Sequence, residues 1–230
     1  MSNMEITNYD LESDGNDVAY HHDLLPNSIR CVICGPSGCG KTNLLLNLLM
    51  KYLKFNSLHI YSRSLNQPKY EFLHDWATSM KAKAMKEIAT FHSNSDDIIP
   101  VEKVNKDERC IMVFDDVMLE KQGPIEKYFC QGRHGGADCF YLCQSYFRIP
   151  KQAIRDNANI VILFKQDSKN LRAIHDTFIS GDMEYKEFQR FFIDCVSEPF
   201  GFCIIDLTSE PYAGKYRSGF KSFYIPTMYA

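Results

Sequence analysis

No stretch of this 230-residue chain approaches the roughly 18 consecutive apolar residues that a helical membrane span requires, so no membrane partner is expected. The N-terminal residues lack the basic-then-apolar pattern of a secretory signal; they are polar and acidic. Lys and Arg are missing altogether from residues 1–29, which carry Glu5, Asp10, Glu12, Asp14, Asp17 and Asp23. With those six acids set aside, the rest of the chain holds 23 Asp and Glu against 26 Lys and Arg. That surplus is too small to make a strongly basic face for duplex binding. A chain of this kind that handles DNA must use a few placed residues, or encircle it. The nine cysteines lack a second pair at zinc-ligand spacing. Cys31 and Cys34 stand at C-x-x-C but lie inside the apolar run Ile29–Cys34, where they read as small buried hydrophobes. Such scattered cysteines suit a reducing, intracellular compartment. Internal repeats and low-complexity segments are also missing.

What is present is a composition of 45% hydrophobic and 24% charged residues, that of an ordinary globular domain. Residues 1–24 are expected to be a flexible acidic leader, and residues 25–230 a single domain. Short apolar runs at Ile29–Cys34, Ser57–Tyr61, Cys110–Phe114, Cys139–Cys143, Asn159–Phe164 and Gly201–Leu207 predict strands. Several are apolar at every position, as central parallel strands covered on both faces must be. Helices are predicted over Thr42–Leu53, Tyr70–Ile88, Asp167–Ser180 and Met183–Phe192. In the second, Leu73, Trp76, Met80, Ala84 and Ile88 form one buried stripe. Residues 91–109 read as loop. Strands alternating with helices give an α/β fold with a mostly parallel sheet and helices on both faces.

The first predicted strand runs into Gly35, Pro36, Ser37, Gly38, Cys39, Gly40, Lys41 and Thr42, which match G-x-x-x-x-G-K-[ST] at every position, with a helix following. The pattern has a physical basis. Glycines let backbone N–H groups turn inward onto phosphate oxygens, and the helix N-terminus adds partial positive charge. Lys41 reaches the β- and γ-phosphates, and Thr42 offers its hydroxyl to Mg²⁺. Pro36 has no N–H to give and shapes the loop. ATP and Mg²⁺ are therefore the expected cofactors. Strand Cys110–Phe114 ends in Asp115 and Asp116. Asp115 is expected to hold Mg²⁺, and Asp116 to act as general base on the attacking water. The next strand ends in Gln144, beside the γ-phosphate, because strand C-termini in such sheets face the ligand. Arg133, in the turn Gln131–Asp138, is a possible arginine finger for its own or a neighbouring subunit's ATP. His134 beside it reads as a hydrogen-bonded loop residue, and His21-His22 as solvated.

The spaced set resembles the genome-packaging ATPases of large DNA viruses and of Maverick/Polinton elements, a poxvirus-like branch of the FtsK–HerA superfamily. It comprises Gly35–Thr42, His59-Ile60-Tyr61-Ser62, Gln67-Pro68-Lys69-Tyr70, Val113-Phe114-Asp115-Asp116, Gly132-Arg133-His134 and Tyr141-Leu142-Cys143-Gln144-Ser145-Tyr146. The resemblance covers about residues 25–225. It implies a RecA-like core, ATP hydrolysis with Mg²⁺, a homo-oligomeric ring (often a hexamer) and double-stranded DNA driven into a capsid through its portal region. Such a protein would work in the host nucleus or a cytoplasmic virus factory. The resemblance adds Gln144 as the polar strand-end residue and leaves Arg133, Arg148 and Arg155 open as the finger. It does not extend to the nuclease domain of tailed-phage motors, since no acid cluster follows residue 210. Two other readings remain open. One is a nucleoside monophosphate kinase using Tyr61-Ser62-Arg63, though no arginine-rich lid follows. The other is a nucleotide-dependent assembly protein. Lys121 and Lys165 are candidate DNA contacts.

Overall fold

The computed structural model describes residues 21–84 and 88–230. Its framework is a nine-stranded sheet. In chain order the strands are β1 (Arg30–Cys34), β2 (Ser57–Ser62), β3 (Ala89–His92), β4 (Cys110–Asp115), β5 (Ala137–Cys143), β6 (Ile160–Leu163), β7 (Cys203–Asp206), β8 (Tyr216–Ser218) and β9 (Ser222–Tyr224). The spatial order is β3-β2-β4-β5-β1-β6-β7-β8-β9. The pairs from β3 to β6 are parallel, and those from β6 to β9 antiparallel.

The uninterrupted apolar runs are explained by cover on both faces. In β1, Cys31 and Ile33 pack with the leucines of α1 (Lys41–Asn47) and with Tyr70 and Leu73 of α2 (Pro68–Ala84). Val32 and Cys34 point the other way. They join a cluster with Phe129 of α3 (Gly123–Gln131), Leu171 of α4 (Ser168–Phe178) and Phe188 of α5 (Tyr185–Cys195). Cys31 and Cys34 thus lie on opposite faces of one strand and cannot chelate a common ion.

The α/β expectation holds, and each of the six predicted strands lies within two residues of an observed one. Several details differ. Helix α2 is described over Pro68–Ala84 and Ile88 is not helical; its buried face is Tyr70, Leu73 and Ala77, with Trp76 and Met80 half-buried. Residues 89–92, which begin just past the expected helix and run into the expected loop, form the edge strand β3, half-exposed along its length. The helix after Thr42 keeps α geometry to Asn47 and widens into a π-type turn over Leu48–Tyr52. Helix α3 and strands β8 and β9 were not predicted.

At the N-terminal edge of the parallel strands a buried polar cluster ties down the entering chain. Asp138 accepts from the Ile29 N–H at 2.7 Å, and lies 2.9 Å from His21 Nε2 and 3.2 Å from Arg109 Nη1. His21 is therefore buried and paired, not solvated; only His22 is exposed. The Leu24 carbonyl accepts from Arg217. Residues 21–24, expected as the end of the leader, are bonded to the domain, while the leader expected over 1–20 lies outside the described residues.

Candidate active site

The phosphate-loop candidate leaves the middle of the sheet. Its start is pinned on both sides: Gly35 N–H donates to the Cys143 carbonyl of β5 at 3.1 Å, and Gln166 Nε2 donates to the Cys34 carbonyl at 3.1 Å. Gly35 tolerates no side chain, because a Cβ there would lie 2.6 Å from Phe164 Cβ. Gly40 sits at φ 113°, a region open only to glycine at low cost, and precedes α1 directly. The helix starts with no side-chain cap, so its first N–H groups face the cleft. Pro36 serves the loop through its carbonyl, which accepts from the Cys39 N–H at 3.4 Å and from Lys41 Nζ at 3.0 Å. Lys41 Nζ also donates to the Gly35 carbonyl at 2.7 Å. The ammonium is thereby held across the mouth of the loop.

Facing this loop is a cleft of ≈ 360 Å³ that brings Ser37, Gly38, Gly40, Lys41 and Thr42 together with Asp115, Asp116 and Gln144. The sheet order explains the convergence. Strand β5 lies between β1 and β4, with Cys34 opposite Cys143 and Asp115 opposite Leu142. Gln144, one residue past β5, therefore stands between the phosphate loop and the acid pair. Asp116, one residue past β4, has φ 57°, a left-handed conformation that Asp tolerates better than most residues. The turn aims Asp116 into the open cleft, while Asp115 stays in the sheet.

Asp115 is 9% exposed. Burial raises its carboxyl above the ordinary range. The Tyr70 hydroxyl and the charge of Lys41 oppose that rise, and the charge of Asp116 adds to it. Tyr70 Oη donates to Asp115 Oδ2 at 2.5 Å. Burial, then the Asp115 charge, in turn drives the phenol far above its usual value, so it remains a donor. Thr42 and Asp115 supply two hard oxygen ligands in one cleft. That suits Mg²⁺, which takes few protein ligands and fills its shell with phosphate oxygens and water.

Tyr70 was not foreseen as a site residue, and neither were Ser64, Gln67 and Lys69, which line the same cleft. Ser64 and Gln67 come from the segment joining β2 to α2, and Lys69 and Tyr70 from the first turn of α2. Its sequence signal is Pro68, which opens α2 as its first residue, the position where Pro is favoured.

Arg133 is not brought to this cleft. It precedes β5, whereas the cleft residues lie at or beyond the C-terminal ends of strands, so it lies at the other end of the sheet. The seven residues of β5 alone separate the two ends by roughly 20 Å. Burial and then the charge of Arg133 pull down the guanidinium of Arg30, the first residue of β1, which places the two arginines together at that end. Action of Arg133 on its own subunit's nucleotide is thus ruled out; a neighbour's remains. Arg148, exposed, follows β5 and lies on the cleft side. Arg155 is half-buried with its guanidinium 4.9 Å from the Tyr146 ring centre. His134 accepts from Arg133 Nε at 3.1 Å. Lys121 pairs with Asp96 at 3.1 Å, and Lys165 is exposed beside the phosphate loop.

Residues 18–180 match the family model described as the poxvirus A32 protein. The chain belongs to that family. No curated protein sequence matches the chain. Among solved structures, this A32-family chain is similar to the genome packaging NTPase B204 of Sulfolobus turreted icosahedral virus 2. The AMPPCP complex of that protein aligns with TM-score 0.54 at 13% identity over 80% of this chain and 95% of that one. Its ATP-gammaS complex aligns with TM-score 0.53 at 15% identity over 80% and 94%. B204 described as the DNA-packaging ATPase of Sulfolobus turreted icosahedral virus gives TM-score 0.53 at 14% identity over 77% and 92%. At these identities the shared feature is the fold: a P-loop NTPase with a mostly parallel sheet and helices.

Proposed function

We propose that this chain is an ATPase whose turnover drives double-stranded DNA into a capsid. The observation that carries the proposal is the arrangement at the strand ends. A polar residue, Gln144, stands between the Lys41 loop and the Asp115-Asp116 pair, where a water attacking the γ-phosphate has to be held. Family membership and the fold shared with B204, named as a genome packaging NTPase, support the same reading.

Lys41 exchanges its carbonyl partners for β- and γ-phosphate oxygens. Gly35, Pro36, Ser37, Gly38, Cys39 and Gly40 shape the cradle, and Thr42 and Asp115 hold Mg²⁺. Held there, Mg²⁺ would supply positive charge against that of the triphosphate. Asp116 takes the proton of the water that Gln144 orients. Arg133 acts from a neighbouring subunit on transition-state charge. The small basic surplus fits DNA gripped by several subunits at once, since contacts converging on one channel add up. A ring, six subunits being the expected number, meets that need. Its remaining partner is a capsid or portal-region protein, and its place the host nucleus or a virus factory.

The kinase alternative needs Tyr61-Ser62-Arg63 free for an acceptor. Tyr61 is instead buried and stacked on His92 and Phe114, Ser62 is buried, and Arg63 pairs with Glu120. The deciding experiment measures ATP turnover with and without long duplex DNA, with Lys41→Ala as control, beside native mass measurement. DNA-stimulated turnover by an oligomer is expected. A chain that stays monomeric with ATP and DNA, at a constant rate per chain, would refute the motor; stimulation by GMP would favour the kinase.

A further inference from the structure

A second cavity, ≈ 420 Å³, adjoins the phosphate loop on the side away from Asp115. One wall is the loop itself, residues 36–39; the other is the turn of residues 196–201, between α5 and β7. Ser37 and Gly38 border both this cavity and the phosphate cleft. A ligand whose phosphates fill the loop can therefore extend its remaining part into this cavity. The Asp115 side is lined by the polar groups Lys69, Asp116 and Gln144, which suit phosphate and water; of the two spaces, an aromatic ring lines only this cavity.

The cavity contains an aromatic ring that the fold does not need for its core. Phe200 is 67% exposed, yet it is held at φ 63°. A bulky side chain in the left-handed region is a conformational outlier, and strain of that kind concentrates at ligand sites. The backbone around it is tightly fixed. Gly201 N–H donates to the Glu198 carbonyl at 3.0 Å, and a Cβ on Gly201 would come within 2.4 Å of the Cys195 carbonyl. The ring edge rests on the loop: a Cβ on Gly40 would lie 3.3 Å from Phe200 Cδ1 and 3.3 Å from Phe164 Cε1. Phe164 is buried beneath. Phe200 thus stands on a tightly bonded backbone, with one ring edge against the phosphate loop and much of its surface facing a cavity large enough for a heterocycle.

We propose that Phe200 is the platform on which the base of the bound nucleoside triphosphate stacks, making residues 196–201 the nucleobase subsite. The proposal rests on the phosphate-loop reading above and adds the recognition of the other end of the same ligand. Stacking is sequence-tolerant because every base has a π-face, and loss of one such platform weakens binding on the order of tenfold.

The test compares ATP with inorganic tripolyphosphate, which keeps the phosphates and lacks the base. Both are titrated calorimetrically with Mg²⁺ into wild type, Phe200→Gly and Phe200→Trp. Glycine removes the ring while adopting the left-handed backbone freely, so Phe200→Gly is expected to fold. The expected result is an ATP affinity about tenfold weaker in Phe200→Gly, an unchanged affinity for tripolyphosphate, and ATP binding retained in Phe200→Trp. An ATP affinity within about twofold of wild type in Phe200→Gly would overturn the subsite, since stacking is worth more than that. Equal weakening of ATP and tripolyphosphate would also overturn it, because the ring would then act only by shaping the loop. Failure of wild type to bind either ligand would instead sink the phosphate-loop reading, and the subsite with it.

Discussion

Tyr70→Phe removes one oxygen from the molecule and leaves the aromatic packing of Tyr70, which is 1% exposed, in place. That oxygen donates to Asp115 Oδ2 at 2.5 Å. A hydrogen bond to a charged group is worth about 1.5–3 kcal/mol, and a buried acceptor left without its donor keeps the full desolvation cost. Burial already raises the Asp115 carboxyl, and the Tyr70 bond is the largest influence pulling it back. Without the hydroxyl the carboxyl rises further and stays protonated to higher pH. A protonated Asp115 cannot serve as an anionic ligand. ATP turnover in Tyr70→Phe is therefore expected to lose activity on the acid side at a higher pH than wild type and to recover toward it in alkaline buffer. The Mg²⁺ concentration giving half-maximal rate should rise most in the acid range. The assay is a pH profile of turnover at several Mg²⁺ concentrations, with circular dichroism to confirm folding. Superimposable pH profiles and an unchanged Mg²⁺ requirement would show that Tyr70 only fills space.

Asp115→Asn separates stability from activity. Because the folded state holds this carboxyl above its unfolded value, its contribution to stability is present at low pH and is lost as pH rises through the raised value. Asn should remove that loss, raising Tm by about 2–4 °C for each kcal/mol relieved. The gap to wild type in thermal melts should be widest near pH 8 and close toward pH 4, while Mg²⁺-dependent turnover disappears; a lower Tm at pH 8 would contradict the sign. Asp116→Asn keeps a residue that accepts left-handed backbone. It should retain ATP binding while slowing hydrolysis by about 10²–10⁴-fold, and equal loss of both would contradict the general-base role.

Legibility from the sequence followed how local the physics is. The phosphate loop was readable because its glycines answer backbone demands made within eight residues, as Gly35 and Gly40 show. Asp115, Asp116 and Gln144 were readable because each ends an apolar run, and parallel strands deliver their ends to one place. Tyr70 was not, because its partner lies 45 residues away and a tyrosine at the start of a helix carries no local sign of a distant carboxylate. His21 was misjudged for a similar reason. Its acidic neighbours suggested solvent, but its partners are Asp138 and Arg109, brought close only by the sheet. Helix α3 carries Gly123-Pro124 at its start, but the nine-residue helix holds only three fully buried side chains, too few to show a clear period. β3, β8 and β9 are too short, and too exposed at their outer ends, to show a period. The position of Arg133 was implicit in the sequence: a residue before a parallel strand and a loop after another face opposite ends.

That opposition constrains the assembly. If Arg133 completes a neighbour's site, each subunit presents the finger at one end of its sheet and the nucleotide cleft at the other. Two arrangements join finger to cleft: an antiparallel two-fold dimer, in which finger meets cleft at both ends of one shared patch, and a head-to-tail contact. The first stops at two subunits, whereas repeated head-to-tail contacts give rings or filaments, and native mass measurement separates them. A mixing experiment follows. Lys41→Ala lacks a working cleft but keeps its finger; Arg133→Ala keeps its cleft but lacks the finger. Each alone should be inactive. Mixed in equal amounts, random assembly places a competent finger against a competent cleft at about a quarter of the contacts. Activity should therefore reappear at up to about a quarter of the wild-type rate, rising more than linearly with protein concentration until assembly saturates. Turnover by Arg133→Ala alone at the wild-type rate, or a mixture as inactive as its components when native mass measurement shows co-assembly, would remove Arg133 from the site. Arg148, on the cleft side of the sheet, would then be the next residue to substitute.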